Sequence, residues 1–236
     1  MVVFRVSILL DRVHDVERWA KIYDNRAPEE ILCHAVEEID RLTFACSFGA
    51  EDQVILHMIT KIKPNLPIFY LDTDVLFSET YALIEETKRR FSPNLIRVSP
   101  KLTLEQQAQT HGETLWNSRP DLCCDIRKVT PLTDHLKGYD GWITGIRREQ
   151  APTRANAQVF EADAKFGLLK VNPLALWTHK QVWKYLVQND VPYNPLHDRG
   201  YPSIGCSHCT KAVAPGADLR SGRWSEFEKT ECGLHQ

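Results

Sequence analysis

The sequence predicts a doubly wound α/β protein: a parallel sheet with crossover helices on both faces. Two observations carry the prediction. From about residue 42 onward, short and mostly apolar runs alternate with longer stretches of helical period. The composition is that of a chain that buries a core: 236 residues, 43% hydrophobic and 25% charged. No repeat, low-complexity tract or Gly/Ser-rich linker divides it, so a single domain over residues 1–236 is expected.

Residues 15–40 predict two helices, with Pro28 in a first turn and Ile31, Leu32, Ala35, Val36 and Ile39 as an apolar stripe. The strands follow at residues 42–47, 67–71, 94–99, 142–145 and 168–171. Helices are expected between them at 53–61, 78–91, 102–109, 124–136 and 148–157. A further helix at 178–188 places Val182, Trp183, Leu186 and Val187 on one face. The chain thus divides into a helical segment (1–40), an α/β core (41–190) and a final segment (191–236). Pro, Gly and Tyr make residues 191–209 an ordered loop. A short helix near 224–229 and a mobile polar tail are expected after it.

Lys plus Arg number 29 and Asp plus Glu 31, a net charge of −2. That balance excludes generic attraction to nucleic acid or to an anionic membrane. No signal peptide is evident, and no apolar run approaches the roughly 18 residues of a membrane span. Seven cysteines, an odd count, cannot form a complete disulfide framework. A reducing, cytoplasmic compartment is therefore expected, where cysteines serve as ligands or reactive thiols.

Ligands of open α/β sheets bind beyond the carboxyl ends of the strands. There the chain places Ser47-Phe48-Gly49-Ala50-Glu51-Asp52, then Leu71-Asp72-Thr73-Asp74, then Gly145-Ile146-Arg147-Arg148. The first lacks both a dinucleotide fingerprint and a Walker ending, and alone reads equally as a plain strand-to-helix turn. An acid could hold a ribose or cap a helix, and an arginine pair could hold an anion or face solvent. Together, the three strand ends favour a nucleotide site with Ser47, Gly49, Asp72, Gly145, Arg147 and Arg148 as candidates.

Cys123-Cys124 and the Cys-x-x-Cys of Cys206 and Cys209 supply four thiolates. Adjacent cysteines suit a four-iron cubane better than zinc, because each can reach a different iron. A zinc staple remains the alternative. Cys232 stands in a small, polar tail three residues before His235, as a swinging nucleophile would. An incidental tail thiol is the alternative there. Cys33 and Cys46 lie in apolar patterns and are expected in the core.

These motifs, with CCDIRK, TGIRREQ, LRSGRW and the terminal ECGLH, resemble the iron–sulfur type of assimilatory adenylyl-sulfate (APS) reductase from about residue 40 onward. The resemblance implies an adenine-nucleotide α-hydrolase-like fold and thioredoxin-dependent reduction of APS to sulfite and AMP in sulfate assimilation. It implies that Cys123, Cys124, Cys206 and Cys209 bind one 4Fe-4S cluster, and that Cys232 attacks the sulfur of APS to form S-sulfocysteine. Lys128, Arg220, Arg223 and His235 would surround the phosphosulfate. No thioredoxin-like continuation is present, so a separate thioredoxin or glutaredoxin would release the sulfite; a homo-oligomer is compatible with this. Many relatives read LDTG where this chain has Asp74. The related phosphoadenylyl-sulfate (PAPS) reductases generally lack the four cluster cysteines, and the same reaction on PAPS is the nearest alternative. A tRNA thiolase on this fold, or a zinc-stapled nucleotide-binding module, is a more distant one.

Overall fold

The computed structural model describes residues 2–227, 229, 231, 233 and 234, with residues 2–11 described through their backbone alone. Among these, one sheet runs in the order β3-β2-β1-β4-β6-β5. Its strands are β1 (Leu42–Ala45), β2 (Ile68–Leu71), β3 (Leu95–Val98), β4 (Gly141–Ile143), β5 (Phe160–Asp163) and β6 (Leu168–Val171). The five parallel strands are the five that the sequence predicts. The edge strand β5 is unanticipated and pairs antiparallel with β6. Phe-Glu-Ala-Asp carries two carboxylates in four residues, so pairing along the edge makes it a strand, not its own apolarity.

Side chains alternate across the sheet as the pleat requires. Phe44, Ile68, Tyr70, Ile143, Leu169 and Val171 face the larger core. Helices α1 (Val2–Tyr23), α2 (Pro28–Glu38), α3 (Ala50–Ile62), α4 (Ser78–Phe91) and α9 (His179–Gln188) add Trp19, Leu32, Ile55, Leu83 and Val182 to it. On the opposite face Phe69, Trp142 and Leu168 pack against Leu132 and Leu136 of α8 (Thr130–Leu136). Both faces are therefore covered, as a doubly wound sheet demands.

The connection from β3 to β4 carries α5 (Leu104–His111), α6 (Leu115–Ser118) and α7 (Pro120–Cys124), then a π turn over Asp125–Val129 that runs into α8. Pro131 explains the wider turn. It has no N–H to donate and its ring would press on the carbonyl four residues back. Thr130 N–H instead reaches the Asp125 carbonyl, five residues back. The insertion re-aims Arg127 and Lys128 inward, where both are buried.

Three expectations are corrected. Residues 148–157 form two 3₁₀ turns, Arg148–Gln150 and Pro152–Arg154, because Pro152 cannot continue a helix and the Gln150 side chain caps Arg147 N–H. Residues 224–227 make turns and bends, with Trp224 at φ +48°, and the rest of the expected helix lies partly outside the described residues. Cys33 is exposed, on the face of α2 away from Ile31, Leu32 and Ala35; Cys46 is buried as expected.

Candidate active site

The strand order reverses between β1 and β4, with β2 and β3 on one side and β6 and β5 on the other. That switch point opens a crevice at the carboxyl ends of the strands. A cavity of about 220 Å³ lies there, lined by Ser47 to Asp52 after β1, Phe69 to Leu71 of β2 and Thr144 to Arg147 after β4.

Its floor is a strained turn. Phe48, not Gly49, takes the left-handed conformation, at φ +61° against −71° for Gly49. Burial of the Phe48 ring edge-on against Tyr70 holds it there. Asp52, on the first turn of α3, accepts from Ser47 N–H and Ser47 Oγ at 2.6 Å each. Burial nevertheless pushes its carboxyl up to about 6. Gly145 must be glycine: a Cβ there would stand 2.0 Å from Asp52 Oδ1.

Two candidate nucleotide contacts do not line the cavity. The buried Asp72 accepts from Tyr81 Oη at 2.7 Å, Arg97 Nε at 2.7 Å and Asp74 N–H at 2.9 Å, so it braces the loop after β2. Asp74, at φ +59°, holds the left-handed position that glycine would otherwise favour and pairs with Arg127 and Arg97. Arg148 binds the Ala157 carbonyl and Asp24. Arg147 does reach the wall, but its guanidinium is occupied by Glu51 at 2.8 Å, Glu149 at 2.9 Å and the Trp177 carbonyl at 3.1 Å.

The cations collect on the opposite wall. Lys128, Arg220 and Arg223, all anticipated, line the cavity together with Arg154, which was not. Arg223 is buried, donates to Ser203 Oγ, stacks on Trp224 at 4.5 Å and leaves its Nε without a protein partner. Gly205 makes room for it, since a Cβ there would lie 2.3 Å from Arg223 Nη2. Such an unsatisfied buried donor beside a cavity suits an anionic ligand.

Beyond Lys128 lies a second, smaller void lined by all four expected thiols: Cys123 and Cys124 at the end of α7, Cys206 and Cys209 from the loop. That loop is docked by Ser207 N–H to the Val75 carbonyl (2.8 Å), and Cys206 Sγ stands 3.3 Å from Thr73 Oγ1. Burial pushes the Cys123 thiol up to about 12, reinforced by the other three cysteines, and Cys209 to about 11. Burial also opposes ionisation of Cys206, but Lys128, Thr73 and Arg223 outweigh it and lower its pKa. Lys128 and Trp224 line both spaces, so the thiol group and the cationic cavity share a wall. Trp116 stacks on His208 at 4.1 Å at the rim of the thiol void.

Cys232 and His235 lie outside the described residues. Their neighbours do not dangle. Glu231 is buried and paired to Arg154 and Arg220, the Gly233 carbonyl accepts from Lys165 Nζ, and Leu234 packs on the smaller core and lines the cavity. Asp52, Arg154 and Glu231 were missed by sequence reasoning. Arg154 and Glu231 meet across 77 residues, and nothing local to either announces the pairing.

These features define a class: an α/β protein with a nucleotide-type crevice at its switch point and a cationic wall backed by clustered thiols. The phosphoadenosine phosphosulfate reductase domain matches residues 41–212, and the chain belongs to that family. A curated relative from Halalkalibacterium halodurans, adenosine 5'-phosphosulfate reductase, is 50% identical over 84% of this chain and 86% of its own. One of the same name from Lysinibacillus sphaericus is 50% identical over 89% and 91%. Among solved structures, a phosphoadenylyl-sulfate (PAPS) reductase from Candida auris in a phosphate complex superposes with a TM-score of 0.76 at 35% identity, covering 84% of this chain and 96% of that one. A mutant FMN adenylyltransferase from Candida glabrata, with a TM-score of 0.58 and 16% identity over 90% and 74%, shares the fold alone. Among the described residues, no helix is long and apolar enough to cross a membrane.

Proposed function

We propose that this chain reduces adenylyl sulfate to sulfite and AMP in sulfate assimilation, with electrons from thioredoxin or glutaredoxin in the cytoplasm. The observation that carries this is the shared wall: Lys128 faces both the cationic cavity and the four thiols. The curated relatives' names support APS as the substrate.

Cys123, Cys124, Cys206 and Cys209 would hold one 4Fe-4S cluster. The donor set fits it: four thiols, two of them adjacent in the chain, line one void. Zinc needs its ligands within about 2.3 Å of one centre, whereas a cubane spreads them over four irons. When bound, the cluster would supply structural order and electrostatic influence beside the cavity.

In the reaction the crevice holds AMP, and Lys128, Arg220, Arg223 and His235 bind the phosphosulfate. The Cys232 thiolate attacks the sulfate sulfur, an S–S bond forms, the S–O bond to phosphate breaks, and AMP leaves. The cations offset the repulsion between two anions and stabilise the leaving phosphate. One thiolate of the external dithiol then attacks Cys232 Sγ and releases sulfite. Its second thiol resolves the mixed disulfide, so two electrons come from the dithiol.

The same chemistry on PAPS is the second reading, favoured by the name of the solved Candida auris relative. Sulfite release from APS and from PAPS, by anaerobically purified protein with thioredoxin, separates them. Turnover of APS is expected; a preference for PAPS moves the assignment to the second reading, and no sulfite from either overturns both.

A further inference from the structure

Two side chains that line the thiol void have no part in the chemistry above. Trp116 stands on α6, seven residues before Cys123, and His208 stands between Cys206 and Cys209. Their rings stack face to face, with centroids 4.1 Å apart and planes within 6° of parallel.

Each ring is fixed to one cysteine pair by its own backbone. Helix α6 ends at Arg119, where α7 begins, and the Cys123 N–H donates to the Arg119 carbonyl at 3.1 Å. Leu115, next to Trp116 in the chain, is fully buried and anchors that short helix. In the other segment, the Cys209 N–H donates to the Cys206 carbonyl at 3.0 Å and closes the 3₁₀ turn that carries His208. Thr210 Oγ1 donates to the same carbonyl at 2.9 Å.

The stack therefore joins the two halves of the thiol set, although Cys124 and Cys206 lie 82 positions apart in the chain. It closes the outer side of the void. His208 is exposed and Trp116 half-buried, whereas Arg127, Lys128 and Trp224 on the remaining walls are buried. A group held by thiols from two segments escapes when the segments part, so a contact that bridges them governs its loss. Contact between flat ring faces covers the void without engaging a polar atom of either ring.

We propose that Trp116 and His208 form a clasp over the thiol group, which holds the two cysteine pairs together and slows the loss of the iron they bind. This rests on the assignment of the four thiols to one cluster made above. The clasp supplies no ligand and touches no substrate. Its effect is on retention.

The test is the rate of iron release from anaerobically purified protein to excess bathophenanthroline disulfonate, followed by chelate colour and by loss of the cluster's visible absorbance. Trp116→Ala and His208→Ala are each expected to release iron about three- to tenfold faster than wild type, the factor that an aromatic pair is worth. His208→Phe, which keeps a flat ring against Trp116, should stay within about twofold of wild type. The double alanine variant should be no faster than the faster single one, because both substitutions remove the same contact.

Unchanged release in both alanine variants would overturn the proposal. So would effects that multiply in the double variant, since each ring would then act alone. If Trp116→Ala fails to fold or to load iron, His208→Ala and His208→Phe carry the test, because the exposed His208 side chain contributes little to the core. If wild-type protein holds no iron, the cluster assignment fails, and alkylation of the four cysteines by iodoacetamide then decides the clasp. Faster alkylation in the alanine variants supports it, and equal rates refute it.

Discussion

Gly145→Ala is the substitution whose outcome follows most directly from the geometry. The added methyl would stand 2.0 Å from Asp52 Oδ1 and 3.3 Å from Glu51 Cβ. Asp52 must therefore retreat by about 1 Å, since carbon–oxygen contacts well below 3 Å are repulsive. Its Oδ2 accepts two bonds of 2.6 Å from Ser47, and such a retreat stretches both past 3.5 Å. Bonds to a charged group are worth about 1.5–3 kcal/mol each. With partial relaxation, the expected loss is about 3 kcal/mol, or about 6–12 °C in Tm for a chain of this size. The turn that brings Ser47 and Gly49 to the cavity is disturbed with it, so AMP affinity should fall by at least tenfold, about 1.4 kcal/mol. Gly138→Ala is the control: its Cβ would meet only the His135 carbonyl, at 3.8 Å, and should change stability by less than about 0.5 kcal/mol. Thermal unfolding and AMP calorimetry on both variants check this. If Gly145→Ala behaves like Gly138→Ala in both assays, the close approach of β4 to Asp52 is not what this site depends on.

The buried Asp52 gives stability a definite pH dependence. Its carboxyl titrates near 6 when folded, against 3.8 when exposed. Between those values the folded state keeps a proton that the unfolded state has released, so stability falls as pH rises through that window. Relative to Asp52→Asn, the wild type should lose about 2 kcal/mol between pH 4 and pH 7 in denaturant titrations; parallel curves for the two proteins would refute the burial argument. Gly205→Ala crowds the Arg223 guanidinium, with Nη2 2.3 Å and Cζ 2.6 Å from the new Cβ. We expect KM for APS to rise about tenfold with little change in Tm, and an unaltered KM would remove Arg223 from the anion site. Cys206→Ser should abolish the broad visible absorbance and the roughly four irons per chain of anaerobically purified protein. Iron content at the wild-type level would mean that Cys206 is no ligand.

The parallel strands and most crossover helices were legible because burial on both faces leaves its own pattern of short apolar runs. Helix α9 shows the same for one-sided burial, with Val182 and Leu186 buried, but Val187, expected on that face, is 73% exposed because it lies one position, about 100°, round the helix from Leu186. Strand β5 was illegible because an edge strand draws its stability from a neighbour. The 3₁₀ turns at 148–154 escaped because charged side chains bound elsewhere, Arg148 to Asp24 and Arg154 to Glu231, decide the path of that backbone. Cys33 misled because its neighbours in the chain are apolar while its helical face is not.

The chemistry divides in the same way. Residue types and spacing marked the four thiols as candidates, and the resemblance to adenylyl-sulfate reductases added Lys128, Arg220 and Arg223, since a thiolate ligand or an anion-binding cation is a property of the side chain. Only the tertiary structure decided which candidates face the cavity. Asp72 and Arg148 are consumed by bracing contacts, whereas Arg154, carried on the turn at Pro152, is held at the cavity by Gln150 and by Glu231, 77 residues away. It also decided that the residues flanking Cys232 are docked, through a carboxylate whose partners lie 77 and 11 residues away. The reason is physical: a side chain's chemistry is carried by its own atoms, but its orientation and availability are set by partners that meet only when the sheet closes.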